Sequence, residues 1–250
     1  MIIRKEIESK LIALKLTGIS AALHNQSEST EYESMGFLER LDDLLDNQLI
    51  DVANKRIATL KRQANLRWPG ALVSDVNYVR QRSLKKAVIT NLAELKWIES
   101  HQHLIITGPT GTGKTHLACA FANEAILNKI SVGFYRYNEL MLQLMAADKN
   151  GEIHKFHKKL NRIQLLVIDD WGISPLSAAQ RHLIFELVES RDKASSMIIT
   201  SQYPITAWYD AFQDPTIADS VLDRIVHSAH AIEMKGKSIR EALGIKGDVK

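Results

Sequence analysis

One short segment limits the possible folds of this chain more than any other part of its sequence. The apolar run Leu104–Ile106 is followed by the glycine-rich turn GPTGTGKT at residues 108–115, and a helical pattern then continues to about Asn128. Glycines at this spacing let the backbone curl so that successive N–H groups point toward one anion, such as a phosphate oxygen. A helix that begins near Lys114 adds its positive N-terminal dipole at the same place. The order of strand, turn and helix therefore predicts an α/β fold with a phosphate site at the edge of a sheet.

The turn also matches the pattern G-x-x-x-x-G-K-[ST], the Walker A motif of nucleotide-binding proteins. In this motif the lysine, here Lys114, reaches the β- and γ-phosphates, and the hydroxyl group of Thr115 ligates Mg²⁺. We therefore predict that ATP and Mg²⁺ are the cofactors. The predicted nucleotide-binding residues of this segment are Gly108, Pro109, Thr110, Gly111, Thr112, Gly113, Lys114, Thr115 and His116.

A second motif places two acids directly after an apolar strand. Residues 165–170 read LLVIDD, which is typical of a buried strand that carries a carboxylate to its C-terminal edge, where ligands of such sheets bind. Asp169 is the predicted Walker B residue and would hold Mg²⁺, directly or through water. Asp170 would orient and polarise the attacking water. The predicted catalytic residues are therefore Lys114 and Asp170, and the predicted metal ligands are Thr115 and Asp169.

From His103 onward, apolar strands alternate with helical patterns. After the first strand, further strands are predicted at residues 132–135, 165–168, 197–200 and 229–232. This alternation favours a parallel five-stranded sheet that is covered by helices on both faces.

The N-terminal part of the chain shows helical spacing and no strand pattern. Apolar residues recur every three or four positions up to a break at Thr17-Gly18, and again from Phe37 onward. Trp68-Pro69-Gly70 interrupts the helix, and residues 68–100 are predicted to be a connector. We therefore predict a small all-α domain at residues 1–70 and an ATPase domain at residues 71–250.

Composition adds limits on location and partners. Lysine and arginine total 32 and aspartate and glutamate total 29, so the net charge of +3 is too small to establish a polyanion as a partner. Cys119 is the one cysteine, which fits a reducing compartment. The sequence has neither a signal-peptide pattern nor an apolar run long enough to span a membrane. We expect a cytoplasmic protein with no membrane partner.

Two short basic runs allow two interpretations. The first contains Lys55, Arg56, Lys61 and Arg62, and the second contains Lys155, Lys158 and Lys159. Such a run is either a solvated helix face or a surface that contacts DNA phosphates. We predict these residues to be DNA contacts.

Three segments near the C-terminus extend the similarity to ATPases of the additional-strand (AAA+) type. The sequence IITSQ at residues 198–202 resembles a sensor I strand, in which Ser201 or Gln202 would detect the γ-phosphate. Arg224, in SVLDRI, resembles the arginine finger that a neighbouring subunit inserts into the catalytic site. Arg240, in GKSIR, is a candidate for a second phosphate sensor or a DNA contact.

Taken together, these motifs resemble the IstB family, the ATP-binding helper proteins of bacterial insertion sequences, which are related to the DnaC helicase loaders. The matching segments are GPTGTGKTHLA, LLVIDDWG, IITSQ, LDRI, GKSIR, the upstream LKLTGISAAL and LRWPGA. The similarity extends from about Leu11 to Arg240. One difference from most AAA+ proteins is that the second Walker B acid is an aspartate, Asp170, where most of them have glutamate. The Asp-Asp pair is usual for IstB-like and DnaC-like sequences.

This resemblance implies an AAA+ P-loop ATPase that assembles as a homo-oligomer on duplex DNA, with ATP between subunits and a cognate transposase as partner. Because an aspartate is one methylene shorter than a glutamate, we expect slow hydrolysis without DNA or a partner. The alternative is a replicative helicase loader, whose N-terminal helices would hold a helicase and which would prefer single-stranded DNA.

Overall fold

The computed structural model describes residues 5–78, 83–172 and 175–236. Within these ranges, five strands form one sheet in the order β2-β3-β4-β1-β5, and each neighbouring pair is parallel. The strands are β1 (His103–Thr107), β2 (Val132–Arg136), β3 (Leu165–Asp169), β4 (Ser196–Ser201) and β5 (Ala229–Glu233). The predicted five-stranded parallel sheet is confirmed.

Helices occupy the intervals between these strands and most of the N-terminal region. They are α1 (Lys5–Ala13), α2 (Thr17–Glu28), α3 (Phe37–Ala64), α4 (Lys86–Ala93), α5 (Lys96–Glu99), α6 (Lys114–Leu127), α7 (Tyr137–Lys149), α8 (Ile153–Asn161), α9 (Ala178–Arg191), α10 (Trp208–Phe212) and α11 (Pro215–Val226). Among the helices in the described ranges, none has the length and apolar character needed to cross a lipid bilayer.

The sheet is buried by helices on its two faces. The three central strands, β1, β3 and β4, are buried along their whole length. Ile105, Ile168 and Ile199 pack in a core with apolar side chains of α7, α9, α10 and α11. Because side chains alternate along a strand, the intervening residues face the other side, where α6 contacts four of the strands. The continuous apolar runs that predicted these strands are therefore explained by burial on both faces.

The strand order determines where the two sequence motifs meet. β4 lies between β1 and β3, so the turn after β1 and the acids at the end of β3 flank the carboxyl end of β4. The insertion of a strand between β1 and β3 agrees with the fold of additional-strand ATPases. It places Thr200 and Ser201 between the glycine-rich turn and Asp169.

The segment between the N-terminal helices and the sheet is more ordered than a connector. α4 and α5 lie within residues 68–100, which the sequence pattern had assigned to a connector. Ile89, Leu92 and Trp97 are each less than 5% exposed, so burial of an apolar face stabilises these short helices. The connector prediction is therefore wrong for residues 86–99.

Packing divides the chain into two compact units, one up to Thr59 and one from Leu60 onward. The division falls inside α3. The buried residues of this helix, Leu60 and Ala64, both belong to the second unit. The domain boundary at residue 70 that the sequence pattern favoured stays a prediction. The helix itself ends at Ala64, shortly before Trp68-Pro69-Gly70.

In the N-terminal unit, the start of α2 is held directly on α3. The side-chain oxygen of Gln48 accepts hydrogen bonds from the backbone N–H groups of Gly18 and Ile19, at 3.0 and 3.2 Å. These N–H groups have no partner within their own helix, so Gln48 acts as a cap supplied by a neighbouring helix. A Cβ atom at Gly18 would lie 2.6 Å from the backbone oxygen of Asn47, so only glycine allows this close approach. The break at Thr17-Gly18 in the sequence is therefore a helix start and a helix contact.

In the second unit, a buried arginine joins three elements at the edge of the sheet opposite the glycine-rich turn. The guanidinium group of Arg191, the last residue of α9, donates to the carbonyl oxygens of Leu160, Ile163 and Ser196 at 2.9, 2.9 and 3.0 Å. Arg191 is fully buried, and burial lowers its pKa to about 10. It thereby fixes the end of α8 and the start of β4 relative to α9.

Replacing Arg191 with methionine should lower the free energy of unfolding by about 3 kcal/mol, because three buried carbonyl groups lose a charged donor. The measurement is urea unfolding followed by circular dichroism, with Arg162→Met as the control, since Arg162 is exposed at the end of α8. Equal stability of the two variants would show that Arg191 does not join these elements.

Candidate nucleotide-binding site

The glycine-rich turn adopts a backbone path that side chains would prevent. Gly108, Gly111 and Gly113 have φ angles of +143°, +82° and +93°, which favour glycine. A Cβ atom at Gly108 would lie 2.1 Å from the backbone oxygen of Met234, just beyond β5. The backbone N–H of Gly108 donates to Ser201 O at 3.2 Å, and that of Met234 donates to Thr107 O at 2.8 Å. The turn is thus held between the ends of β4 and β5.

Lys114 lies inside this turn. Its side-chain nitrogen donates to the backbone oxygens of Gly108 and Pro109 at 2.7 and 2.9 Å, and the residue is 6% exposed. Burial lowers the pKa of Lys114, and the nearby charges of Asp170 and Asp169 oppose that shift. Thr112 also donates to Pro109 O, at 2.8 Å. The structure therefore brings a cation into the centre of the predicted phosphate-binding turn.

Asp169 is a fully buried carboxylate at the end of β3. Its Oδ1 accepts hydrogen bonds from the hydroxyl groups of Thr115, at 2.8 Å, and Thr200, at 2.6 Å. Its Oδ2 is buried and has no hydrogen-bond partner among the described residues, although a guanidinium nitrogen of Arg67 lies 3.9 Å away. Burial raises the pKa of Asp169, and the hydrogen bonds from Thr200 and Thr115 oppose the shift.

These donor atoms fit a magnesium ion. Mg²⁺ binds oxygen ligands and usually takes one or two from protein while keeping water or phosphate at the other positions. Here a buried carboxylate oxygen without a hydrogen bond lies on the residue that also contacts the Thr115 hydroxyl group. Thr115 and Asp169, the pair predicted from sequence, are therefore adjacent and suited to hold the ion.

Asp170 occupies a backbone conformation that is uncommon for residues other than glycine. Its φ angle is +63°, and its N–H donates to the Thr200 hydroxyl group at 3.1 Å. Aspartate tolerates the left-handed region better than most residues. This turn directs the chain away from β3 immediately after Asp169. Asp170 is half-buried, and its charge acts on both neighbours. It opposes the lowering of the Lys114 pKa and adds to the raising of the Asp169 pKa.

The two candidates for sensor I have different surroundings. The Ser201 hydroxyl group is buried, donates to Trp171 O at 2.8 Å and accepts from the backbone N–H of Tyr203 at 3.1 Å. Gln202 is exposed, and its side-chain oxygen accepts a hydrogen bond from the Thr110 hydroxyl group at 2.7 Å. Only Gln202 of the two contacts the glycine-rich turn through its side chain, so the geometry favours it over Ser201 as a phosphate sensor.

Arg224 is held by neighbours on its own chain. Its guanidinium group pairs with Glu189 on α9 at 2.7 Å and donates to the backbone oxygen and hydroxyl group of Ser220 at 2.8 and 2.7 Å. The guanidinium carbon also lies 5.8 Å from the centre of the Phe185 ring. To act on a neighbouring subunit, this side chain has to exchange Glu189 for a phosphate.

The predicted DNA contacts fall into three groups. Lys55 is bound within the N-terminal unit, where it contacts Asp51 at 2.8 Å and also Thr17. The side chains of Arg56, Lys61 and Arg62 are exposed. On α8, Lys155 pairs with Glu152 at 3.4 Å, Lys159 lies over the Phe156 ring, and both remain exposed together with Lys158. Arg240 lies outside the described residues.

Two residues of the site were not assigned from the sequence. Thr200 contacts both Asp169 and the backbone of Asp170, and the only signal for it was its place in the segment IITSQ. Arg67 reaches Asp169 from a segment more than one hundred positions earlier in the chain, and only the match of LRWPGA pointed to that segment. Neither contact follows from local sequence, because each depends on how distant segments pack.

The geometry agrees with comparisons to known proteins. A model of the family described as IstB-like ATP binding protein matches residues 9–244. The chain belongs to this family. It is 37% identical over 231 residues to a protein of Sinorhizobium fredii named as an insertion-sequence ATP-binding protein, covering 92% of this chain and 94% of that one. A similarly named protein of Pseudomonas fluorescens is 36% identical over 196 residues, with coverage of 78% and 85%.

Solved structures show the same fold. The DnaC helicase loader superposes with a TM-score of 0.55 at 22% identity, covering 68% of this IstB-like chain and 99% of that chain. AMPPCP-bound DnaA from Aquifex aeolicus gives a TM-score of 0.56 at 18% identity, covering 73% and 56%. The second unit of this IstB-like protein is therefore a P-loop NTPase fold of the AAA+ type, as the sequence predicted.

Replacing Gly108 with alanine should strongly weaken ATP binding in this IstB-like protein, because the added methyl group would force the turn away from Met234. We expect the dissociation constant to rise at least about 100-fold, a loss of about 2.7 kcal/mol. Isothermal titration calorimetry with ATP measures it. Gly70→Ala is the matched control, since no atom lies within 4 Å of a Cβ atom there. Wild-type affinity in Gly108→Ala would contradict the described path of the turn.

Proposed function

We propose that this protein is an ATP-dependent, DNA-binding ATPase that oligomerises on duplex DNA and recruits a transposase to the target site during insertion-sequence transposition. The observation that carries the proposal is the convergence of Lys114, Asp169 and Asp170 at one edge of the sheet, in a member of a family whose relatives are named for insertion sequences. Since its partner would be chromosomal or plasmid DNA, we place the protein in the cytoplasm.

The proposed reaction is hydrolysis of ATP to ADP and phosphate. Lys114 and the N–H groups of the turn bind the phosphates, and Thr115 and Asp169 would hold Mg²⁺, which would stabilise the negative charge of the phosphates. Asp170 accepts a hydrogen bond from the water whose oxygen attacks the γ-phosphorus, while the bond to the bridging oxygen breaks. A carboxylate on the short aspartate side chain reaches this water less well, so we expect slow hydrolysis without DNA or a partner.

The catalytic site is completed in the proposal by a neighbouring subunit. Arg224 lies on α11, where its side chain is one quarter exposed and paired with the exposed Glu189. Glu189 is half exposed, and a triphosphate carries more negative charge than a single carboxylate, so a triphosphate can replace Glu189 as the partner of the arginine. ATP bound between subunits would then stabilise the oligomer, and its hydrolysis would weaken it.

Arg224→Ala should leave ATP binding within about twofold of wild type and lower the hydrolysis rate about 10³-fold, because the finger acts on the transition state. Steady-state phosphate release measures the rate. Mixing Arg224→Ala with Lys114→Ala subunits should restore part of the activity, since one interface then combines an intact turn with an intact arginine. Glu189→Gln, which keeps Arg224 in place, is the matched control. Failure of the mixture to recover activity would contradict action from a neighbouring subunit.

DNA binding is assigned to the exposed basic face of α8. Along this helix, Ile153, Phe156 and Leu160 turn toward the core, whereas the three lysines project from the opposite face. Ion pairing with Glu152 holds Lys155 only weakly, because both side chains are mostly exposed. A row of lysines fits phosphate contacts that do not depend on base sequence and that weaken as salt increases.

The test of this function is binding to duplex and to single-stranded DNA, with ATP and with ADP, measured by fluorescence anisotropy and electron microscopy. We expect large complexes on duplex DNA that require ATP and are absent with Lys114→Ala, since nucleotide closes the subunit interfaces. A preference for single strands, or indifference to nucleotide, would instead favour the helicase-loader alternative.

The same assay locates the DNA contact. Replacing Lys155, Lys158 and Lys159 with glutamine should reduce the slope of log affinity against log salt by about 2–3, because each lost phosphate contact removes nearly one unit. The control replaces three exposed lysines outside α8, Lys96, Lys129 and Lys193, with glutamine. An equal change in both variants would show that α8 is not the contact surface.

A further inference from the structure

The segment that precedes the ATPase core is fixed against the helix of the phosphate-binding turn. The buried side-chain amide of Asn123, on α6, donates to the backbone oxygens of Ala71 and Trp68 at 2.9 and 3.4 Å. Leu66 and Ala71 pack on α6 around the buried Cys119. These contacts hold the backbone on both sides of Arg67 in one place. Packing of this segment on α6 therefore fixes the backbone from which the Arg67 side chain extends.

Arg67 points toward the catalytic centre. A terminal nitrogen of its guanidinium group lies 3.9 Å from Oδ2 of Asp169, and the arginine side chain is one third exposed while the carboxylate is fully buried. This is the carboxylate oxygen that has no hydrogen bond, whereas Thr115 and Thr200 both donate to the other oxygen. The arginine thus approaches the side of Asp169 that the magnesium ion would use.

Electrostatics explains why a cation belongs there. A carboxylate that is removed from water is costly unless charges or hydrogen bonds compensate it. Two hydroxyl groups compensate Asp169 partly, and Lys114 is directed to the carbonyl oxygens of the turn. A bound triphosphate brings negative charges close to those of Asp169 and Asp170. The guanidinium group of Arg67 can then donate hydrogen bonds to phosphate oxygens.

We propose that Arg67 is a positioning residue of the triphosphate site, which compensates the charge of Asp169 and donates to the phosphates of bound ATP from the same chain. The proposal rests on the ATP-binding part of the proposed function and adds to it a second arginine, one that acts within the subunit while Arg224 acts between subunits. It also explains why the segment at residues 66–71 is fixed to α6.

The test compares ATP affinity with and without magnesium, measured by isothermal titration calorimetry in MgCl₂ or in EDTA. Mg²⁺ supplies two positive charges of its own, so Arg67 should matter most when the ion is absent. We expect Arg67→Ala to weaken ATP binding at least about 10-fold in EDTA but only about 2–3-fold in Mg²⁺. Arg67→Lys retains the charge and should stay within about 3-fold of wild type in EDTA.

The ratio of the two affinities separates this role from a structural one. If Arg67 only anchored the segment, Arg67→Ala would weaken binding by the same factor in both buffers, and Arg67→Lys would behave like Arg67→Ala. Lys96→Ala is the control for charge, because Lys96 is exposed and precedes the amino end of β1, at the far end of the sheet from the turn. Thermal unfolding of each variant checks that the core is intact.

The outcomes also separate this inference from the proposed function. Wild-type protein that binds no ATP in either buffer would overturn both. Wild-type protein that binds ATP, together with an Arg67→Ala variant whose two affinities change equally or not at all, would overturn only the role of Arg67.

Discussion

A carboxylate that is removed from water has to be compensated, and the site of this protein is built around one such group. Asp169 is fully buried at the end of β3, and burial raises its pKa. Three segments that are distant in sequence supply its neighbours: Thr115 from the start of α6, Thr200 from β4 and Arg67 from the segment before the core. Each contact stabilises the charge and at the same time fixes one element of the fold relative to the others. Catalytic geometry and local stability therefore depend on the same interactions.

The strand order makes this convergence possible. With β4 between β1 and β3, the Thr200 hydroxyl group bridges the side chain of Asp169 and the backbone of Asp170. The next two residues contact different loops. Ser201 donates a hydrogen bond to the loop after β3, and Gln202 accepts one from the glycine-rich turn. Hydrogen bonds thus connect the glycine-rich turn, the end of β4 and the loop that follows β3.

Two arginines have different relations to the proposed reaction. Arg67 contacts a group of the site within its own chain, whereas Arg224 is paired with Glu189 on the surface of α9. In the proposed function, Arg224 exchanges this partner for a phosphate bound to a neighbouring subunit. In the proposed assembly, Arg67 compensates the charge of Asp169 within each subunit, and Arg224 completes the catalytic site of a neighbouring subunit.

Much of the architecture could be predicted because it rests on local patterns. Apolar runs predicted β1, β3 and β4, since strands that are buried on both faces need no polar residues, and a change to helical spacing predicted α6 and α9. The connector prediction was wrong at α4 and α5 because their short apolar faces are stabilised by tertiary burial, and the spacing within eight residues or fewer gives a weak periodic signal. The run of basic residues likewise could not show that Lys55 is paired with Asp51 and Thr17, because that contact depends on how α2 packs on α3.

The sequence by itself determined the glycine-rich turn, because glycine spacing and a following helix specify a backbone path within a few residues. It also determined that acids follow a buried strand. Only the tertiary structure decided which groups surround those acids. Thr200, Gln202 and Arg67 acquire their contacts with Asp169 and with the glycine-rich turn from the order of strands and from the packing of residues 66–71 on α6. Contacts between segments a hundred residues apart are fixed by burial and by compensation of charge in the folded core, and neither leaves a periodic mark on the chain.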